Sequence, residues 1–249
     1  MAFDATDEWR LIARGEDVLF HVLGWPGMEN SWTEEAFYAT GRSDWADFRR
    51  HWRHYEPGLG GTCVEIGCGA GRLTAALVED FDRVVALDVS EEMLERTRAA
   101  TATEVELHRV DGPSIPLRSA EADAAFSCHV LQHLEDARAL ATYMAEARRV
   151  IRPGGTAMVH IWLSSSPPSG PRRWRQELEL RLARWRLRRG QRPPAVRMRT
   201  YRAEYVRAML EEAGFVEVEL RMFPVRSNGS HHHFWLARVP AAPEPRAER

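Results

Sequence analysis

The chain has 249 residues and a formal net charge of -2, with 44% hydrophobic and 28% charged residues. This length suffices for one sizeable domain with a packed core, and the balance of charges argues against a protein built to bind polyanions. No apolar run approaches the roughly 20 residues that cross a bilayer, and the acidic N-terminus does not resemble a signal peptide. The 3 cysteines lack CxxC spacing, which disfavours disulfides and a structural zinc site. We therefore expect a cytoplasmic protein.

Residues 1–55 lack the alternation of a β-strand and are typical of a helical cap. Their clearest pattern is a set of aromatic residues at helical spacing: Trp45, Phe48, Trp52 and Tyr55. Ser43 and Asp44 precede this set as candidate N-caps. We interpret the segment as an N-terminal helical cap, and a plain amphipathic helix packed on the core explains the same pattern.

Residues 56–163 alternate between strand-like and helix-like runs. The strand-like runs are Thr62–Ile66, Arg83–Asp88, Glu104–Val110, Ala122–Cys128 and Thr156–Leu163. The helix-like runs between them are Arg72–Glu79, Ser90–Ala100 and Glu135–Ile151. Alternation of this kind indicates βαβ units, whose right-handed crossovers place helices on both faces of a parallel sheet. The fold class is therefore α/β with a doubly wound sheet.

Residues 164–199 interrupt the alternation. They begin as a loop rich in Ser and Pro and continue as an arginine-rich stretch in which Leu178, Leu182 and Trp185 form an apolar stripe. Because the segment leaves the fifth strand at its carboxyl end, where α/β proteins bind ligands, we interpret it as a helical lid packed on the cap. A solvated helix explains the same composition.

The core resumes over residues 200–239. A helix is predicted at Tyr201–Ala213, closed by Gly214. Strands follow near Phe215–Met222 and His232–Val239. Residues 240–249 have the Pro, Ala, Glu and Arg composition of a disordered tail.

A glycine-rich turn joins the first strand to the next helix, in the order Val64-Glu65-Ile66-Gly67-Cys68-Gly69-Ala70-Gly71-Arg72. Such glycines let the backbone approach a ligand closely. The second strand ends at Asp88, about 20 positions later, where an acid hydrogen-bonds a ribose diol. A dinucleotide motif needs a glycine at the position of Arg72, and Glu65 suits an ammonium group better than a pyrophosphate. These features favour S-adenosylmethionine, which has an ammonium group and a ribose but no phosphate.

Several ordered motifs resemble the class I S-adenosylmethionine-dependent methyltransferases, in particular their small-molecule branch. The run VEIGCGAGRLT is similar to the family's motif I, and LDVSEEML at 87–94 to its second motif. FSCHVLQHLED at 126–136 resembles the fourth-strand motif, and RRVIRPGG at 148–155 the turn before the fifth strand. The resemblance covers residues 60–163, and residues 201–239 fit the family's last helix and closing hairpin. It implies a Rossmann-like sheet of seven strands, mostly parallel with an antiparallel last strand.

The resemblance also implies roles in binding the methionine and ribose parts of the cofactor. The residues of the turn that would wrap these parts are Gly67, Cys68, Gly69 and Gly71. Glu65 would support the ammonium group, and Asp88 would bind both ribose hydroxyls.

At the adenine end, Val89 and Met93 would line the base, and Asp111-Gly112 resembles the family's adenine-contact position. Asp111 would accept a hydrogen bond from the amino group of adenine. Cys128 would contribute its backbone carbonyl, and His133 lies where the family often has histidine.

Two histidines are candidate general bases for a hydroxyl acceptor. His129 follows the fourth strand and is the first candidate, with loop stabilisation as its alternative role; His160, near the end of the fifth strand, is the second. No metal site is predicted at His231, His232 and His233, because neighbouring residues of a strand face opposite sides.

The favoured function is methylation of a small-molecule acceptor, a specialised metabolite, with oxygen preferred over nitrogen. The alternative is an RNA or protein methyltransferase, which the arginine-rich stretch supports. Against it, there is no separate RNA-binding module and no Asn-Pro-Pro-Tyr-type motif, so neither nucleic acid nor membrane is an expected partner. A non-catalytic binding protein is a further hypothesis, which the intact glycine turn with Asp88 disfavours. A dehydrogenase is another, which Arg72 disfavours. The sequence identifies neither the acceptor nor the oligomeric state.

Overall fold

The computed structural model describes residues 5–15, 19, 32–101, 105–164, 178, 182, 185, 189 and 198–242. Two helices come first, α1 (Ala5–Ala13) and α2 (Glu34–Tyr55). The next elements are β1 (Thr62–Ile66), α3 (Thr74–Leu77), β2 (Arg83–Asp88), α4 (Glu91–Ala100), β3 (Glu106–Arg109) and β4 (Ala122–Ser127). The last are α5 (Ala137–Val150), β5 (Ile151–His160), α6 (Ala203–Glu212), β6 (Val216–Pro224) and β7 (His231–Arg238).

The strands of the described residues form one seven-stranded sheet in the order β3-β2-β1-β4-β5-β7-β6. Strands β1 to β5 are parallel, and β7 lies antiparallel between β5 and β6. Val64 of β1, for example, pairs with Val85 of β2 on one side and with Ala125 of β4 on the other. The chain winds outwards in both directions from β1 and β4, so a crevice opens at their carboxyl ends. The predicted Rossmann-like topology is confirmed.

Each face of the sheet has its own apolar core. On one face α2 buries aromatic rings. The ring centroids of Trp52 and Phe48 lie within 6.3 Å of the Phe126 ring centroid on β4. The Trp52 indole N–H is satisfied by the hydroxyl of Thr156 at 3.0 Å, which removes the cost of burying it. On the opposite face α5 and α6 bury apolar residues such as Met144 and Leu210.

Helix α2 begins earlier than the sequence predicts. Its N-cap is Thr33, whose hydroxyl accepts a hydrogen bond from the Ala36 N–H at 3.2 Å, with acidic residues in the first turn. The prediction that Ser43 and Asp44 cap this helix is therefore wrong. Asp44 is buried within the helix and has a different function, described below.

Strand β5 also begins earlier, at Ile151 rather than at Thr156. Ile151 pairs with Ala122, and the register shifts before Ala124 pairs with Thr156. A side chain at Gly155 would lie 2.4 Å from the Asp123 carbonyl oxygen, so the glycine permits this close pairing of strands. Of the expected turn at 148–155, residues 148–150 thus end helix α5, and residues 151–155 form the irregular start of the strand.

Most of the predicted lid at 164–199 and most of the tail at 240–249 lie outside the described residues. Leu178, Leu182 and Trp185 of the apolar stripe are 47% to 56% exposed, so these three side chains are not buried against the cap. The Arg189 guanidinium lies 4.2 Å from the centroid of the Trp185 ring. Among the described residues, no helix combines the length and the apolar character needed to cross a bilayer.

Candidate functional site

The glycine turn after β1 has the backbone conformation that its composition predicts. Gly67, Gly69 and Gly71 have φ angles of 78°, 56° and 80°. The backbone N–H groups of Gly67 and Cys68 donate to the Leu87 carbonyl oxygen at 2.8 and 2.9 Å, which ties the turn to the end of β2. The turn thereby presents its backbone to the crevice at the carboxyl ends of the strands.

Asp88 at the end of β2 faces the same crevice. One carboxylate oxygen accepts from the Gly69 N–H and the other from the Ser90 N–H, each at 2.9 Å. Burial raises the pKa of Asp88, and these backbone hydrogen bonds counteract the rise. The carboxylate is thus held in one orientation beside the turn.

Glu65, the last residue but one of β1, is a second carboxyl group in this wall. It is 3% exposed, and the Thr74 hydroxyl donates to it at 2.6 Å. Burial raises the pKa of Glu65 to about 7, while the Thr74 hydrogen bond lowers it. A cation placed beside this group would favour its ionised form.

The turn, Asp88 and Glu65 line one open cleft. Of the sequence-predicted residues it brings together Glu65, Gly67, Cys68, Gly69, Asp88, Val89, Met93, Gly112, Cys128, His129 and His133. A cleft with a largely apolar lining and a few polar groups is typical of a cofactor site.

Three predicted site residues do not line the cleft. Gly71 lies behind the turn, where a side chain would come within 2.9 Å of the Thr97 Cα, so its role is close packing. The Asp111 carboxylate is exposed and paired with Arg10 and with Arg109, the latter at 3.1 Å. His160 is fully buried next to the cleft.

The sequence did not single out the contribution of α1. Thr6 and Trp9 of this helix line the cleft, and the Trp9 ring lies 5.0 Å from the His133 ring. The Arg10 side chain donates to the Val89 carbonyl oxygen at 3.0 Å. Helix α1 therefore covers the end of the cleft that Val89 and Gly112 line. The amphipathic pattern of α1 was the available signal, but it does not identify what the helix covers.

The cleft also has lining residues that the sequence did not identify as site residues. Arg72 and Leu73 belong to the motif I run, and Val130 and Leu134 to the fourth-strand run, but none of the four was expected to line a site. Val110, Ser114 and Tyr143 lie between the motifs, so only the fold brings them to the cleft. The Tyr143 hydroxyl donates to the Gly112 carbonyl oxygen at 3.1 Å, which fixes the loop after β3.

Three imidazole rings meet where His129 lines the wall of the cleft. We name His129, His160 and His232 the histidine cluster; their ring centroids lie 4.8 to 4.9 Å apart. Burial, followed by the neighbouring histidines, lowers the pKa of His129 well below its usual range. Burial likewise lowers the pKa of His232 to about 4. These rings are neutral near pH 7, and a ring with so low a pKa is a weak proton acceptor.

Comparison with known proteins gives a family match over the core. Residues 64–159 match the family model described as a methyltransferase domain. The malonyl-[acyl-carrier protein] O-methyltransferase of Hahella chejuensis is 40% identical over 106 residues, which cover 41% of this chain and 37% of that protein. The trans-aconitate 2-methyltransferase of an Azoarcus species is 37% identical over 114 residues, covering 43% and 42%. The matched region thus spans less than half the length of these curated relatives.

Solved structures share the fold. The crystal structure of a SAM-dependent methyltransferase from Aquifex aeolicus superimposes with a TM-score of 0.53 and 21% identity, covering 80% of this chain and 91% of that one. At this identity the likeness concerns the fold alone. The match extends well beyond residues 64–159.

Proposed function

We propose that this chain, whose residues 64–159 match a methyltransferase domain, is a class I S-adenosylmethionine-dependent methyltransferase that transfers a methyl group to a small-molecule acceptor. The favoured acceptor atom is oxygen, and the favoured acceptor class is a specialised metabolite. One relative is named for O-methylation, of malonyl-[acyl-carrier protein], which supports the choice of oxygen. The cytoplasmic location expected from the sequence is part of this proposal.

The observation that carries this proposal is the placement of two carboxyl groups around one glycine turn. Asp88 lies against the Gly69 N–H at 2.9 Å and would accept hydrogen bonds from the ribose hydroxyls. Glu65 lies on β1 just before the turn, lines the same cleft, and would face the ammonium group. Two buried carboxyls at the turn would repel a pyrophosphate, which argues for this cofactor over a dinucleotide.

The cofactor supplies the activated methyl group, so the protein must align the acceptor and exclude water. In the transfer the sulfur–methyl bond breaks as the oxygen–methyl bond forms. The sulfur keeps the electron pair and becomes a neutral thioether, and the acceptor's proton leaves to a base or to solvent. Cys128 and His129, at the carboxyl end of β4, would lie beside the reacting atoms. The general-base roles of His129 and His160 stay predictions, and the low pKa of both rings weakens them.

A turnover screen tests the proposal. The purified chain is incubated with S-adenosylmethionine carrying a trideuterated methyl group and with fractionated metabolite extracts. We expect the demethylated cofactor to accumulate together with products that carry the labelled methyl group. With the cofactor held below its Kd, Asp88→Ala should lower both signals by about 10–100-fold, while Met222→Ala, at a side chain 62% exposed on β6, should leave them intact. Failure of the folded protein to bind S-adenosylmethionine would refute the proposal.

A further inference from the structure

The wall formed by the histidine cluster has a composition that cofactor binding does not account for. We propose that Cys128, His129 and His232 form a binding site for a zinc-type divalent ion, open to the cleft, with His160 beside it. This inference goes beyond the proposed function, because it concerns a metal site and its test requires no methyl transfer.

The donors converge from two strands: Cys128 and His129 directly follow β4, and His232 lies on β7. One ligand atom each from Cys128, His129 and His232 lies within 4.8 Å of the others. Zinc–nitrogen and zinc–sulfur bonds of about 2.0 to 2.3 Å place the ligand atoms of one cysteine and two histidines roughly 3.3 to 3.6 Å apart in a tetrahedral site. Movements of about 1 Å, within reach of side-chain rotation, would therefore close the set around an ion.

The backbone directs one of these donors. His129 has a φ angle of 61°, in the left-handed region that non-glycine residues rarely adopt. Backbone conformations of this kind cost free energy and cluster at functional sites. The turn at His129 brings its ring next to His160 and His232, which stand on the paired strands β5 and β7.

The second independent observation concerns ring nitrogens without partners. His160 is 0% exposed, and neither of its ring nitrogens has a hydrogen-bond partner among the described residues. His232 is 2% exposed, and its Nδ1 likewise has none, whereas its Nε2 faces the Ser230 hydroxyl at 3.2 Å. Buried polar atoms of this kind are costly and rare. A ring that binds a hydroxyl through one nitrogen and offers the other is the usual arrangement of a metal-binding histidine.

The donor types select the class of ion. One thiolate and two imidazoles are a soft-to-borderline set, which zinc prefers over magnesium or calcium. Three protein ligands leave a fourth position open, and Cys128 and His129 both line the cleft. A water molecule or an acceptor oxygen at that position would give the buried His160 a hydrogen-bond partner. An ion there would lower the pKa of an acceptor hydroxyl bound to it. The neutral histidines are weak proton acceptors and would activate such a hydroxyl poorly.

The chain supplies matched controls. His231 is exposed, whereas His232 is buried, because neighbouring residues of a strand face opposite sides. Cys63 is a buried free cysteine on β1 that lies outside the ligand set. Substitution of either control residue should leave metal binding unchanged.

The test is a titration of the chelator-stripped full chain with Co²⁺, a spectroscopic substitute for zinc. We expect one equivalent to bind, with a thiolate-to-cobalt charge-transfer band in the near ultraviolet that Zn²⁺ abolishes by displacement. Cys128→Ser should remove the band. His129→Gln and His232→Gln should weaken affinity by at least about tenfold, since even indirect changes around metals cost 10–100-fold. Cys63→Ala and His231→Gln should behave as the unsubstituted chain.

Circular dichroism of each variant establishes that it is folded. Protection of Cys128 from alkylation by Zn²⁺, located by peptide mass, is a second readout that needs no variant. The proposal is overturned if the folded, unsubstituted chain gives neither the band nor the protection. It is also overturned if His231→Gln weakens binding as much as His232→Gln, or if the band depends on Cys63 instead of Cys128.

Discussion

Asp44 of α2 and Arg72 of the glycine turn form a buried ion pair, with 2.6 Å between carboxylate oxygen and guanidinium nitrogen. Their side chains are 3% and 5% exposed. Two further contacts join α2 to the turn: the Tyr38 hydroxyl donates to the Ala70 carbonyl oxygen at 2.9 Å, and Gly41 packs on the Arg72 backbone. Arg72 thus fastens α2 to the cofactor turn.

Breaking this pair from one side should destabilise the protein strongly, because a buried charge is left without its partner. We expect Asp44→Leu to lower the free energy of unfolding by about 3–5 kcal/mol. The double variant Asp44→Leu with Arg72→Met should lose less than the sum of the two single changes. Urea denaturation measures both quantities. Glu211→Ala, which removes an exposed pair with Arg207, should cost no more than about 1 kcal/mol. Additive losses in the double variant would contradict the coupling.

Gly67 and Gly60 flank β1 and should respond differently to the same substitution. A Cβ at Gly67 would lie 2.3 Å from the Val130 side chain, at a φ of +78°. A Cβ at Gly60 would meet only the Asp80 carbonyl oxygen, at 3.8 Å. We expect Gly67→Ala to cost about 2 kcal/mol or more and to impair binding of S-adenosylhomocysteine, whereas Gly60→Ala should cost less than about 0.5 kcal/mol. Thermal unfolding and calorimetry test the pair, and equal effects would show that the turn tolerates a side chain.

Glu65 should make cofactor binding release a proton. Its pKa in the folded protein is about 7, above the ordinary value of 4.5. Between pH 4.5 and 7 the folded protein without cofactor therefore keeps Glu65 protonated, whereas the unfolded chain has lost that proton. Stability from this group is therefore greatest below pH 4.5 and falls as pH rises to about 7. The ammonium group of the cofactor favours the ionised carboxylate, so binding at pH 6.5 should release up to about one proton.

Calorimetry in buffers of different ionisation enthalpy measures this release. Glu65→Gln should abolish the dependence on buffer and weaken the affinity. A buffer-independent enthalpy in the unsubstituted chain would mean that the cofactor does not meet a protonated Glu65.

Helix α1 should slow the release of the cofactor. Trp9 lines the cleft, and Arg10 donates to the Val89 carbonyl oxygen at 3.0 Å while also pairing with Asp111. We expect Arg10→Ala to accelerate dissociation of S-adenosylhomocysteine by about tenfold, corresponding to about 1.4 kcal/mol for the lost charged hydrogen bonds. Stopped-flow displacement measures the rate, and Met222→Ala serves as the control. An unchanged dissociation rate in Arg10→Ala would show that α1 does not hold the cofactor in the cleft.

The parts of the site that the sequence predicted correctly are local. Strand, glycine turn and acid follow one another within a few residues, so Gly67, Gly69 and Asp88 could be recognised from spacing alone. The doubly wound parallel sheet followed from the alternation of runs and the handedness of crossovers, and the antiparallel last strand from the resemblance to the family.

The parts that it missed depend on segments far apart in the chain. The adenine contact expected of Asp111 stays a prediction, but the sequence did not predict that Arg10, about a hundred residues earlier, pairs with its carboxylate. Asp44 was predicted to be an N-cap because capping is recognised from neighbouring residues. Its ion-pair partner Arg72 lies 28 residues away, so the local pattern does not reveal the pair. The histidine cluster likewise arises only where β4, β5 and β7 come together in the sheet.

The most direct test of the central claim is calorimetric titration of the purified chain with S-adenosylmethionine, S-adenosylhomocysteine and NAD. We expect one molecule of either of the first two to bind and NAD not to bind. Asp88→Ala should weaken the binding by about 10–100-fold, since loss of hydrogen bonds to a charged group costs roughly 1.5–3 kcal/mol. Tight binding of NAD, or unchanged affinity for S-adenosylmethionine in Asp88→Ala, would contradict the account.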